Sequence, residues 1–278
     1  AVIAAITGQI VFLTALIPLV IATVSIGFRG FNRGWGFTLS RGADAVRVGA
    51  GLTATRTETL PLGRIHAVEA RQPLFWRPLG WWQVRVTTAG HTASDGGQSG
   101  VANVVLPGGL EADVLRVVEA LLPGTGGAPE QGALQGAQQG ALQQGHGSEL
   151  HRALVGNGEG FLGAGPRAGW VLWFARRRTG LRLVANADAP VEAAALQLRR
   201  GALTRSLSVI PVVRMQSVQL RRPLLHRMLG LASIQTHTVL GPVHTEVRGV
   251  ELSRARDAFD LLAATVVRVQ GAEHRAER

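Results

Sequence analysis

Cysteine, lysine and tyrosine are absent from this chain of 278 residues. Without Cys there is no disulfide and no thiolate to ligate a metal, a usage that fits a reducing compartment. Without Lys the Gly-rich stretches, such as Gly156 to Gly165, lack the ammonium group of a phosphate-cradling loop. All 29 basic residues are therefore Arg. Set against the abundance of Ala, Gly, Val and Leu, this reads as compositional bias rather than selection for guanidinium chemistry. The pairs His146/His151 and His237/His244 have neither ligand spacing nor a carboxylate partner, and Ser and Asp have no elbow or dyad context. No catalytic residue, metal site or cofactor is expected, and the chain reads as non-enzymatic.

What is present is unevenly placed. Residues 1–165 hold 11 Arg against 10 acidic residues, a net of +1, whereas residues 166–278 hold 18 against 8, a net of +10. The excess belongs to the second half and points to an anionic partner there or to a solvated face beside a negative membrane. From Ala1 to Phe28 there is no ionisable side chain, and Arg29 and Arg33 follow. An apolar run of that length is expected to be a transmembrane helix. A cleaved signal peptide would need a basic start and a shorter core. The positive flank places everything downstream in the cytoplasm, on the inner face of the membrane.

The strongest pattern is a repeat at an offset of 150 residues. Pro61, Arg64, Val68, Arg71, Pro73, Leu74, Arg77, Leu79 and Gly80 recur as Pro211, Arg214, Val218, Arg221, Pro223, Leu224, Arg227, Leu229 and Gly230. Gly51/Gly201 and Thr88/Thr238 extend the register, which means two copies of one domain. Period-two alternation in Gly36–Ser40, Ala45–Gly49, Arg64–Ala70 and Trp82–Thr87 predicts strands. Leu110, Val114, Val117, Val118, Leu121 and Leu122 share one helical face, and Pro123-Gly124 stops it. The second copy predicts strands through Leu196–Leu240 and near Val243–Val247. A helix from about Ser253 to Val269 follows, with Phe259, Leu262, Val266 and Val269 inward.

The expected organisation is a transmembrane helix (1–28), a first domain (29–123), a flexible Gly/Gln/Ala-rich linker (124–165), a second domain (166–270) and a disordered tail (271–278). In each motif Pro is expected to end a strand or hold its edge, and Leu74/Leu224 and Leu79/Leu229 to plug one end of the core. Arg64/Arg214 and Arg77/Arg227 either cap backbone carbonyls or recur as an anion contact.

The spacing P-x-x-R-I/M-x-x-V followed by P-L-x-x-R-x-L-G resembles the bacterial pleckstrin-homology (PH) domains of YdbS/YdbT-like membrane proteins. The order apolar helix, domain, linker, domain is similar to the C-terminal portion of the longer members. The resemblance implies a mainly β fold with α: two PH-like β-barrels, each of two orthogonal antiparallel sheets capped by a C-terminal helix. It also implies further transmembrane helices and another such domain upstream, and no catalytic residues. Copy one departs at Trp76, Pro78, Trp81 and Trp82, where copy two has His226, Met228, Leu231 and Ala232.

Candidate contact residues follow from composition. Trp76, Trp81 and Trp82, with Phe75, flank Arg71 and Arg77 and suit either a membrane interface or a packed barrel end. Trp170, Trp173 and Phe174 precede Arg176, Arg177, Arg178 and Arg182, which suits an anionic leaflet or a first strand with a basic exit loop. Arg199, Arg200, Arg205, Arg221, Arg222 and Arg227 form a second cluster, expected to meet if the strands pair as hairpins. The leading functional expectation is a membrane-anchored cytoplasmic scaffold with a YdbS-like partner, serving protein association or envelope-stress or antimicrobial defence. The alternative is anionic phospholipid binding by the basic second domain, and nucleic-acid binding ranks below both.

Overall fold

The computed structural model describes residues 36–50, 56–89, 103–122, 150–184 and 194–276. The apolar run 1–28 lies outside them. Among the described residues, no helix is long and apolar enough to cross a membrane.

The first copy contributes β1 (Thr38–Arg41), β2 (Ala45–Ala50), β3 (Arg56–Pro61), β4 (Ile65–Pro73), β5 (Trp82–Thr88), β6 (Val104–Gly109) and α1 (Glu111–Leu121). A helical segment over 150–155, here α2, connects to the second copy. There follow β7 (Leu162–Gly163), β8 (Gly180–Val184), β9 (Ala195–Arg200), β10 (Thr204–Pro211), β11 (Ser217–Arg221), α3 (Leu224–Leu229), β12 (Leu231–His237), β13 (Glu246–Glu251) and α4 (Leu252–Ala276). The 150-residue offset holds in structure through the motif, where β2 maps onto β9 and the 3-10 turn Leu62–Arg64 onto Val212–Arg214; the same element order continues beyond it, without that offset, from β6 and α1 to β13 and α4. Pro61 and Pro211 end β3 and β10, and the turn after each redirects the chain, so the next strand leaves for another sheet.

Copy one thus yields two three-stranded antiparallel units, and copy two a four-stranded and a three-stranded one, but they do not close into two barrels. The order is β1-β2-β3, then a seven-stranded sheet β6-β5-β4-β10-β9-β8-β7, then β11-β12-β13. The middle sheet joins the second unit of copy one to the first unit of copy two through antiparallel pairing of β4 with β10, from Thr204↔Pro73 to Val209↔Val68. The expectation of separate barrels is corrected by this seam. The edge of β4 must satisfy a row of backbone donors and acceptors, and β10 offers apolar side chains along with its ladder.

The cores follow from the pairing. In copy one, Ile65, Val68, Ala70, Trp82, Val84 and Val86 pack under Val114, Val117, Val118 and Leu121 of α1. Leu207 and Val209 of β10 complete the same cluster, together with Leu150, Ala153 and Leu154 of α2. Residues 150–165 are therefore folded rather than a tether, because α2 brings three apolar side chains to a core that would otherwise be open; residues 124–149 lie outside the described residues. Copy two packs Leu196, Leu198, Ile210, Met215 and Ile234 against Ala255, Leu262, Val266 and Val269 of α4. Phe259 is only half-buried, and the helix continues through Ala276, so 271–276 is not a frayed tail. Leu110 is not on the buried face of α1 either; it caps the helix, its N–H donating to Asp113 Oδ2 at 2.9 Å.

Candidate functional site: an arginine-lined end of the shared sheet

Strand registers place one set of loops together. Trp82 pairs with Gly109, Pro73 with Thr204, Ser206 with Arg200, and Gly180 with both Arg199 and Gly163. The loop 74–81, the turn 201–203 and the segment 164–179 therefore lie at the same end of the seven-stranded sheet. A first strand was one of the two readings of Trp170 to Phe174, but the last of these segments folds as short 3-10 and α turns, Pro166–Ala168, Gly169–Leu172 and Trp173–Arg178. Gly165 N–H donates to Gly249 O at 3.2 Å and anchors it to the second copy.

This end is apolar on its outside. Phe75 is 87 % exposed, Trp170 80 % and Trp173 74 %, and Phe174 and Leu203 are similarly open. Trp173 and Phe174 meet edge to face at 6.3 Å. Trp173 has φ +46°, the one positive φ outside glycine among the described residues, so local strain accompanies the outward display of these rings. Trp81 is half-exposed and meets Trp76 edge to face at 6.3 Å. Trp82, expected as a contact residue, is a correction: it is 2 % exposed and sits in the first core with Val84 and Val86 on the same strand face.

Beneath the apolar rim the arginines converge. Arg199 donates to Gly156 O, and Arg178 to Val155 O at 3.0 Å. Arg77 reaches from copy one to the turn of copy two, donating to Ala202 O and to Leu203 O at 3.2 Å. The guanidinium carbons of Arg182 and Arg199 lie 5.0 and 5.2 Å from the Phe161 ring centre, a double cation–π contact. Burial first, then the charges of Arg205, Arg199 and Arg77, lowers the Arg178 pKa to about 10. Arg199 is lowered by burial and then by Arg205 and Arg182, and Arg77 by burial and Arg205. A cleft of about 310 Å³ opens here, lined by Asn157, Phe161, Arg176, Arg177, Arg178 and Arg199. A second, of about 420 Å³, holds Gln72, Arg77, Trp82 and Arg205.

The structure thus unites Arg176, Arg177, Arg178, Arg182, Arg199 and Arg205, and leaves out the rest of the expected cluster. Arg200 pairs with buried Glu69 at 3.0 Å across the seam, a structural bond. Arg221 belongs to the β11-β12-β13 sheet, donating to Gln235 Oε1 at 3.4 Å; Arg222 follows it, and Arg227 is exposed on α3. A hairpin does not join them to Arg199 and Arg205, because the turn after Pro211 sends β11 to another sheet. Sequence reasoning missed Phe161, which lies in the Gly-rich stretch read as linker, and it missed the role of Arg77 as the link between copies. The exact recurrence of Arg77 at Arg227 was the one available signal.

A family model described as Bacterial PH domain matches residues 1–122 and again residues 168–266. The chain belongs to the bacterial PH domain family. No curated protein and no solved structure matches it. The two matched stretches correspond to the two structural copies, so the arginine-lined end lies where the PH copies join: Arg77 comes from the first, and Arg178, Arg199 and Arg205 from the second.

Proposed function

We propose that this protein is a non-enzymatic binding module that lays the joined end of its two PH copies on an anionic phospholipid surface at the inner face of the bacterial membrane. The observation that carries the reading is the exposure of Phe75, Trp170, Trp173, Phe174 and Leu203 at the same end of the sheet as Arg176 and Arg177. Aromatic side chains settle at headgroup depth while adjacent cations meet lipid phosphates. Each Arg near an anionic surface contributes about 1 kcal/mol. Replacing both (R176Q/R177Q) is expected to weaken binding to phosphatidylglycerol vesicles by about 2 kcal/mol, roughly thirtyfold. Binding to neutral phosphatidylcholine vesicles should hardly change. Co-sedimentation of the full chain and the variant measures this, and equal retention of both on the anionic vesicles at moderate salt would reject the lipid reading.

The scaffold reading rests on a different surface. Leu224, Leu225 and Met228 of α3 are exposed and lack aromatic anchors, the composition of a protein-docking patch rather than a headgroup contact. A small YdbS-like membrane partner, in envelope-stress or antimicrobial defence, would cover that helix. Cross-linking from a photoreactive residue at Met228 in native membranes tests it: a discrete protein adduct supports the scaffold, and lipid-only adducts refute it.

A further inference from the structure

We propose that Arg77, Arg178, Arg199 and Arg205, at the seam between the two copies, form a binding site for a multiply charged phosphate anion, a phosphomonoester or pyrophosphate group. The inference deepens the lipid reading by naming the headgroup chemistry, and rests on that reading only where the phosphate comes from a lipid.

Three observations converge. First, among the described residues no carboxylate pairs with any of the four: the acidic residue that lines the second cleft, Glu111, contacts His151 instead. The hydrogen bonds of Arg77, Arg178 and Arg199 run to backbone carbonyls of 155, 156, 202 and 203, which fix their orientation without neutralising them. Second, donors remain unused and buried: Nη1 of Arg199 and Nε of Arg77 and Arg205 have no partner among the described residues. A buried cationic donor without an acceptor is costly, and a phosphate with several acceptor oxygens suits convergent forks better than one carboxylate would. Third, the space exists. It is divided between two clefts, one of about 310 Å³ beside Arg178 and Arg199 and one of about 420 Å³ beside Arg77 and Arg205, linked by Val155, which lines the second and accepts from Arg178, and both lie within the roughly 300–1,000 Å³ common for small-ligand pockets. The first is bordered by Gly158 at φ +97°, where a Cβ would stand 3.0 Å from Arg199 Nη1. The site belongs to the joined pair alone, since the strand registers put Gly36, Gly49 and Thr55 of copy one in the places of Arg178, Arg199 and Arg205.

The test uses the full chain and inorganic pyrophosphate, with no lipid present. Pyrophosphate is expected to raise the melting temperature above that in sodium chloride of equal ionic strength. R205Q and R178Q should each weaken pyrophosphate affinity about tenfold. Because each also removes one of several crowded like charges, R205Q should melt no lower than the parent when ligand-free; a purely structural arginine would do the opposite. No pyrophosphate stabilisation beyond the salt control overturns the site, even if phosphatidylglycerol vesicles still bind through the rim. Unchanged affinity in both variants overturns it as well. With pyrophosphate binding in hand, vesicles carrying phosphatidic acid, a phosphomonoester, are compared with phosphatidylglycerol vesicles. Preference for phosphatidic acid, competed by pyrophosphate, assigns the site to a lipid headgroup, and equal binding assigns it to a free phosphate.

Discussion

The two copies share one plan but use opposite edges. In copy one the second three-stranded unit is joined at β4, and in copy two the first unit is joined at β10; β3 and β11 are the corresponding strands left at sheet edges. The sequence differs where that choice is made. β10 presents Leu207 and Val209 to the first core, whereas the same positions of β3 are exposed Thr57 and Thr59. β4 carries buried Glu69, bonded to Arg200, whereas β11 has Gln219 and β2 has Ala50 in their places. Head-to-tail joints of this kind propagate unless something ends them. The outer edge strand β3 carries exposed Thr57 and Thr59, and among the described residues there is one seam and one arginine cluster.

The largest effect is expected from breaking the seam at its charge. Glu69 is 3 % exposed and stabilises Arg200 from across the joint. Glu69→Ala leaves that guanidinium unpaired in a poorly solvated place and should cost about 3 kcal/mol of unfolding free energy. The matching change in copy two, Gln219→Ala on exposed β11, should stay within about 0.5 kcal/mol. Urea denaturation of the two variants measures the difference, and equal losses would mean that the seam adds nothing special.

Much of each copy was legible locally, while the relation between copies was not. The spacing of Val114, Val117, Val118 and Leu121 announces α1, and the recurring Pro–Arg–Val–Pro–Leu pattern announces the shared element order. The alternation of Trp82 with Val84 and Val86 already places that ring on the core face, against its reading as a contact residue. β3 escaped because Thr57, Glu58 and Thr59 show no apolar alternation, a consequence of its position at an edge. α2 escaped because its three buried residues follow a Gly- and Gln-rich stretch. The β4–β10 joint and the bond from Arg77 to Ala202 connect residues 125 or more apart. No periodicity within one segment encodes which edge meets which.

A gain of association should follow from making the edges alike. Thr57→Leu with Thr59→Val gives β3 the apolar face of β10, while Val218 and Leu220 of β11 stay half-buried as possible counterparts. The double variant is expected to self-associate at least about tenfold more tightly than the parent, about 1.4 kcal/mol. Sedimentation velocity under matched conditions reads the shift. An unchanged sedimentation coefficient would show that side-chain polarity is not what terminates the array.

The smallest effect sharpens the contrast at the turn after the recurring Pro-Leu. Copy one has Trp76 there and cannot titrate, whereas copy two has His226, buried on α3 with Nδ1 3.2 Å from Ser233 Oγ. Burial first, then the nearby Arg248, lowers the His226 pKa below 6.5, with Glu246 opposing. The sign follows from which state binds the proton first. Above about pH 6.5 the imidazole is neutral in both states and contributes no pH dependence. As pH falls through 6.5 the unfolded chain is protonated before the folded one, so stability is lost until the lower folded pKa is reached and is constant below it. His226→Gln should therefore flatten part of the fall in melting temperature between about pH 7.5 and about pH 5.5. His66 and His244, also lowered chiefly by burial, contribute in the same direction. A variant with the full parental slope would mean that His226 is hydrated in the folded chain, and the contrast with Trp76 would then be one of shape alone.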